Sequence, residues 1–73
     1  MKLTELSNGS EAKVLKVNGD TGFQERLCEL GISPGARINL KSRLPFNGPV
    51  VIRVESTTLA LRKEEADSIE VNE

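Results

Sequence analysis

Hydrophobic residues alternate with polar ones in several short runs along the chain, which is the pattern of half-buried β-strands. The runs lie at 12–17, 37–41, 50–55, 58–61 and 69–71, and the first of them is apolar on both faces. Because the third and fourth runs are adjacent, 50–61 predicts a hairpin that turns near residues 56–57. Short strands joined by close turns favour a small barrel or sandwich.

One segment has the periodicity of a helix instead. Its apolar residues recur at i, i+4 and i+7 and predict an α-helix over about 21–30, with a stripe made of Phe23, Leu27 and Leu30. Thr21 is predicted to be the N-cap, with Gln24 completing a capping box, so its role is structural. A second, shorter helical turn is predicted at about 63–67.

The end of the main helix is marked by glycine and proline. Gly31 stands where a left-handed residue ends a helix, and a contact between Leu27 and Ile32 often accompanies that ending. Pro34 and Gly35 fit the two central positions of a type II turn. We interpret this segment as structural.

Composition excludes much chemistry. The chain has 73 residues, enough for one domain over 1–73, with two Phe and no His, Trp or Tyr. Without histidine, Ser-His-Asp and Cys-His catalysis and most zinc sites cannot be built. The sequence therefore predicts a binding module that is not an enzyme, with no cofactor and no bound metal. No apolar run suits a signal peptide or a membrane span, which favours a cytoplasmic location.

Charge is unevenly placed, although the net charge is −1. The stretch 37–54 is basic without any acid, through Arg37, Lys41, Arg43 and Arg53. These side chains could bind nucleic-acid phosphates, but at this net charge solvated strand faces are the favoured interpretation. The acidic end carries Glu64, Glu65, Asp67 and Glu70. A carboxylate site for Fe²⁺ is conceivable there, and a solvated acidic surface is favoured over it.

Two further features have competing interpretations. The one cysteine, Cys28, is expected to be a small, partly buried hydrophobe of the helix. The stretch 44–49 places Phe46 between two prolines. Phe46 could plug one end of the barrel, or the loop could line a peptide groove. With two aromatics in the chain, a groove for proline-rich peptides is disfavoured.

Three stretches resemble one known family over essentially the whole chain. Residues 26–35, RLCELGISPG, resemble the R-L-x-E-L-G-I-x-P-G signature of ferrous iron transport protein A (FeoA) domains. Residues 59–69, LALRKEEADSI, resemble the A-L-R-x-x-E-A-x-x-I ending of that family. The opening KLTEL and the turn PFNGP are similar too, the latter weakly. Gln24 and Glu25 depart from the family, whose members are often more basic there.

The resemblance implies a mainly β fold. The implied fold is an SH3-like small β-barrel of about five to six short strands, with the helix inserted between the first strands. It also implies a cytoplasmic accessory protein that docks on the ferrous iron permease of the inner membrane and modulates Fe(II) uptake. The cytosolic part of that permease carries a GTP-binding domain. The same domain resembles the C-terminal domain of iron- and manganese-dependent repressors.

On this basis we expect the helix, its exit and the proline-rich loop to border one docking surface. Its apolar residues are predicted to be Phe23, Leu27, Leu30, Ile32, Phe46 and Pro49, with Arg43 and Arg62 at the rim. Leu27 or its neighbours are expected to be half-exposed, as a binding patch requires. A metal-sensing or nucleic-acid-binding small barrel is the alternative, although no nucleic-acid partner is expected. Weak self-association through an uncovered strand edge also stays open.

Overall fold

A five-stranded antiparallel sheet forms most of the molecule in the computed structural model, which describes residues 1–73. A 3-10 turn at Leu3–Glu5 comes first. The elements that follow are β1 (Glu11–Val17), α1 (Thr21–Glu29), β2 (Arg37–Arg43), β3 (Val50–Val54), β4 (Thr57–Leu61), α2 (Lys63–Asp67) and β5 (Ile69–Asn72). The strand order is β4-β3-β2-β1-β5, so β4 and β5 are the two edges and hydrogen bonds do not close the barrel. The predicted strands, the inserted helix and the short second helix are confirmed.

The core is wholly apolar and comes from the alternating positions of the sequence. Sixteen residues are buried and none of them is polar or charged. Each of β2 and β3 turns one row of side chains inwards, from Ile38 and Leu40 in β2 and from Val50, Ile52 and Val54 in β3. The Leu3 and Leu6 side chains of the first turn and Ala66 of α2 complete the core.

A bulge in β1 explains why that strand is apolar on both faces. The pairing of β1 with β5 shifts register between Val14 and Lys16, so one extra residue, Leu15, stands in β1. The shift moves Val17 to the buried face, whereas Leu15 is left exposed.

The N-terminus of α1 differs from the prediction by one residue. Asp20, not Thr21, is the N-cap, and its carboxylate accepts a hydrogen bond from the Phe23 N–H at 2.8 Å. Gln24 does not reach back to the cap N–H; its side-chain amide donates to the Gly19 carbonyl at 2.9 Å. The predicted capping role of Thr21 was therefore wrong. An ionised Asp is at least as good a cap as Thr and carries a favourable charge at a helix N-terminus.

The exit from α1 follows the prediction in detail. The Ile32 N–H donates to the Leu27 carbonyl at 2.8 Å and the Gly31 N–H to the Cys28 carbonyl at 2.9 Å, which is a Schellman motif. Gly31 has φ 93°, and the Leu27 and Ile32 side chains are both buried. A type II turn follows, with φ 94° at Gly35 after Pro34.

The hairpin between β3 and β4 turns one residue earlier than predicted. Val54 pairs with Thr57, so Glu55 and Ser56 form the turn. Glu55 takes φ 56°, a positive value that two-residue hairpin turns demand of their first residue.

Candidate docking surface

The residues predicted to form one docking surface lie in two groups, at opposite ends of β3. Gly31, at the exit of α1, is next to Val54: a Cβ there would lie 3.3 Å from the Val54 Cγ1 atom. The proline-rich loop joins β2 to the other end, at Val50. The two ends of β3 are four residues apart, about 13 Å. The structure therefore does not bring the helix exit and the loop together.

In the helix group, Leu27 and Ile32 are fully buried, each with 0% of its surface exposed. The expectation was that Leu27 or its neighbours are half-exposed: Leu27 itself is buried, whereas its neighbour on the stripe, Leu30, is half-exposed. The Leu27 and Ile32 side chains belong to the core and cannot touch a partner in this structure. The apolar stripe itself contained a signal, since Leu27 lies between Phe23 and Leu30 on it, and the middle of a stripe faces the core.

The outer members of the stripe are more accessible. Phe23 is partly buried against the core, and the Arg26 guanidinium stands 5.5 Å from the centre of its ring. Leu30 keeps 43% of its surface exposed. This side of α1 therefore presents one isolated leucine and one aromatic ring that already contacts the core and Arg26.

The loop at 44–49 has a backbone conformation that Phe46 does not favour. Phe46 and Asn47 both have positive φ, 60° and 58°, and the Gly48 N–H donates to the Pro45 carbonyl at 3.1 Å. Two consecutive positive φ values at the centre of a turn define type I′, a turn usually made with Asn and Gly. A phenylalanine in the left-handed region is a steric outlier.

The side chains of this loop are also unusually exposed. Phe46 has 99% of its surface in solvent and Leu44 has 46%, while Pro45 and Pro49 are exposed as well. Phe46 therefore does not plug the barrel. Leu44 and Pro45 were not among the residues predicted for docking, although both belong to the same stretch between β2 and β3.

Arg43 holds the base of this loop. Its guanidinium donates to the Thr4 carbonyl at 2.7 Å and also to the Leu6 carbonyl. The Leu44 N–H donates to the Pro49 carbonyl at 3.0 Å, which closes the loop. Arg43 thus has a structural task, beyond the rim contact predicted for it.

Arg62 stands beside the loop. Val50 pairs with Leu61, which places Arg62 across from Pro49 at the same end of the sheet. Arg62 is exposed and takes part in no ion pair. We call the exposed set Leu44, Pro45, Phe46, Pro49 and Arg62 the loop-tip surface. It combines an apolar projection with one exposed positive charge.

The acidic end is engaged in separate local contacts. Glu65 accepts the Arg62 N–H at 2.9 Å and pairs with Arg26; the backbone hydrogen bond first, and then Arg26, hold the pKa of Glu65 below its usual value. Asp67 accepts the Thr4 hydroxyl at 2.6 Å and Lys63 at 3.1 Å, and these bonds lower its pKa in the same way. No group of three acidic or thiol side chains stands close enough to hold a metal ion.

The basic stretch also differs from a simple patch. Arg37, Lys41 and Arg53 border a depression of about 630 Å³ that Glu11 and Glu55 border as well. Arg37 pairs with Glu11 at 3.5 Å. The mixed charge gives no support to nucleic-acid phosphates as the ligand. Cys28, expected to be partly buried, is exposed instead.

Comparisons with known proteins decide the family. The model of the FeoA domain matches residues 1–73. The chain belongs to the FeoA domain family.

Two solved FeoA structures share the fold. FeoA from Chlorobium tepidum superposes with a TM-score of 0.89 at 32% identity, over 97% of this chain and 68% of that one. FeoA from Stenotrophomonas maltophilia, described as a procaryotic SH3 domain protein complexed with zinc, gives 0.83 at 30% identity, over 99% and 89%. The predicted SH3-like fold is therefore confirmed.

A curated relative ties the family to transport. The chain is 35% identical over 71 residues to the Fe(2+) transport protein A/Fe(2+) transporter FeoB fusion protein of Porphyromonas gingivalis. The match covers 97% of this chain and spans 8% of that protein. The FeoA family is thus involved in ferrous iron transport. Neither helix of the present structure is long and apolar enough to cross a membrane.

Proposed function

We propose that this chain is a non-catalytic, cytoplasmic docking module that binds the cytosolic part of the ferrous iron transporter and modulates Fe(II) uptake. The whole chain acts as one domain. The exposed, left-handed Phe46 at the tip of its loop carries the proposal. In support, a relative joins the same domain to transporter FeoB in one polypeptide.

The isolated chain gains nothing from the conformation of Phe46. A left-handed residue with a Cβ costs about 1–2 kcal/mol. A fully exposed aromatic ring also forgoes about 1.5–3 kcal/mol that burial would supply. Phe46 has both disadvantages, at φ 60° and 99% exposure. Strain of this kind is concentrated at functional sites, where contact with a partner offsets it.

The loop is held in place for such a contact. The bonds from Arg43 to the carbonyls of Thr4 and Leu6 tie its base to the first turn of the chain. The bond from Leu44 to Pro49 fixes its neck. A ring that is presented on a braced loop loses less conformational freedom on binding than one on a mobile loop. The fitting partner site is an apolar pocket with an acidic residue at the edge for Arg62.

An amide-resolved NMR titration of labelled chain with the purified cytosolic part of the permease tests the proposal. We expect shifts of the amide signals of Leu44, Phe46, Asn47, Gly48 and Arg62, and none at Leu30. Phe46→Ala should weaken binding by about 2 kcal/mol, or ~30-fold, as loss of an aromatic hot spot does. Leu30→Ala is the matched control, because Leu30 is also an exposed apolar residue, and it should bind like the wild type. Shifts centred on α1, or a larger loss from Leu30→Ala, would overturn the proposal.

A further inference from the structure

One edge of the sheet is covered by another segment of the chain and the other edge is not. The outer edge of β5 is covered by the first residues of the chain. The Val71 N–H donates to the Met1 carbonyl at 2.7 Å, and the Met1 amine donates to the Val71 carbonyl at 3.2 Å. A β-bridge between Lys2 and Glu70 extends this cover. β4 has β3 on one side and no strand on the other.

The uncovered edge has free backbone groups. Val54 and Thr57 close a two-residue turn, so the odd-numbered residues of β4 direct their N–H and C=O groups towards β3. Thr58 and Ala60 then direct theirs outwards. Neither residue makes a backbone hydrogen bond outside the β3 ladder. The edge thus offers two donors and two acceptors in a row.

β4 lacks the features that usually protect an edge strand. Its sequence, TTLAL, contains no charge and no proline. Its pairing with β3 runs without a bulge. Natural edges are normally blocked by lysine, proline, bulges or a covering segment, because an open edge is a template for another strand. The Thr58 and Ala60 side chains are small and exposed, so a second strand can approach closely.

We propose that the β4 edge is a strand-pairing site and that the strand it accepts is β4 of a second copy, in antiparallel register with Leu59 on the two-fold axis. In this register Thr58 of each copy lies opposite Ala60 of the other. Their outward groups form four backbone hydrogen bonds. Leu59, which is only partly buried against the core, then contacts Leu59 of the other copy. This inference goes beyond the proposed docking and does not depend on the permease.

Charge supports a second copy as the occupant. The strand is preceded by acidic Glu55 and followed by basic Arg62 and Lys63, of which Lys63 also pairs with Asp67 of its own chain. Antiparallel pairing of two identical strands brings the acidic end of each copy beside the basic end of the other. Parallel pairing would set like charges together. The edge is therefore self-complementary, as an isologous interface requires.

Two double variants test the register directly. Thr58→Lys with Ala60→Lys puts like charges opposite each other across the two-fold axis. Thr58→Lys with Ala60→Glu puts opposite charges there instead. Both pairs change the same two exposed positions, so their effects on the monomer are matched, and circular dichroism checks that both fold.

Sedimentation equilibrium of the full chain, from micromolar to millimolar concentration, gives the readout. We expect reversible dimers of the wild type, association roughly tenfold weaker for the lysine–lysine variant, and recovery for the lysine–glutamate variant. A wild type that stays monomeric throughout would overturn the proposal. Equal association of the two variants would overturn it as well, since the antiparallel register requires them to differ.

Discussion

The exit of α1 and the loop tip are two turns in one small protein, and they handle backbone strain in opposite ways. At the exit, both left-handed positions are glycines, Gly31 and Gly35, and the neighbouring Ile32 is buried. At the loop tip, the left-handed positions are Phe46 and Asn47, and the aromatic ring is in solvent. The first turn is optimised for stability. The second sacrifices stability, which is the behaviour of a surface that acts on something else.

The largest expected effect is on α1, where a buried leucine, Leu27, and a partly exposed one, Leu30, are three residues apart. Leu27→Ala should destabilise the protein by about 2–5 kcal/mol, because it leaves a cavity among fully buried side chains. Leu30→Ala should cost far less, about 0.5 kcal/mol, since Leu30 lies at the surface with 43% of its area exposed. Urea unfolding of the two variants measures both values. Similar losses would mean that the burial assigned to the stripe is incorrect.

Substitutions at the two glycines of the exit distinguish the cost of a left-handed backbone from the cost of a steric contact. Their φ values, 93° and 94°, are nearly the same, but only a Cβ at Gly31 would meet a neighbour, Val54. Gly35→Ala should therefore cost about 1 kcal/mol from conformation alone. Gly31→Ala should cost about 1–2 kcal/mol, because the close contact adds to the same penalty. Thermal unfolding of the pair checks the order, and a larger loss at Gly35 would contradict it.

The loop tip should respond in the opposite direction. Phe46→Asn keeps the turn but installs a residue that tolerates the left-handed region, so the free energy of unfolding should rise by about 1 kcal/mol. Phe46→Ala is the control, because alanine has the same left-handed penalty, and its stability should stay close to that of the wild type. Chemical denaturation distinguishes the two. If Phe46→Asn destabilises the fold, the ring has a packing role that its exposure does not show.

The smallest expected effect concerns pH. The Thr4 hydroxyl and Lys63 lower the pKa of Asp67, and the Arg62 N–H lowers that of Glu65. A carboxyl whose pKa is lower in the folded state stabilises the fold above its ordinary pKa, and this contribution is lost as the pH falls through the lowered value. Melting temperature should therefore decline below about pH 4. Thr4→Val should make that decline shallower; an unchanged pH profile would show that the hydroxyl contributes nothing.

Patterns that depend on neighbouring residues were predictable from the sequence. The Schellman ending followed from Gly31 and Ile32, and the alternating strands followed from their apolar residues, because backbone sterics and alternation are local properties. The predicted N-cap was wrong by one residue, because Asp20 and Thr21 are both residue types that cap helices well. Asp20 is the cap in the structure because its carboxylate accepts the hydrogen bond from the Phe23 N–H. A local pattern cannot make that choice.

Tertiary placement limited the remaining predictions. The stripe at 23, 27 and 30 identified the apolar side of α1, but only the docking of the helix determines that Leu27 is buried and Leu30 is not. The exposure of Leu15 depends on a bulge that pairing with β5 creates. The same holds for Phe46, because no sequence pattern indicates that a phenylalanine takes φ 60°.

Binding of Phe46→Asn to the cytosolic part of the permease, measured by calorimetry beside the wild type, tests the central claim most directly. If the loop-tip surface is the docking site, this variant should bind about 30-fold more weakly while being at least as stable as the wild type. Unfolding could not then explain the loss. Wild-type affinity in a folded Phe46→Asn variant would contradict the claim and move the docking site elsewhere on the molecule.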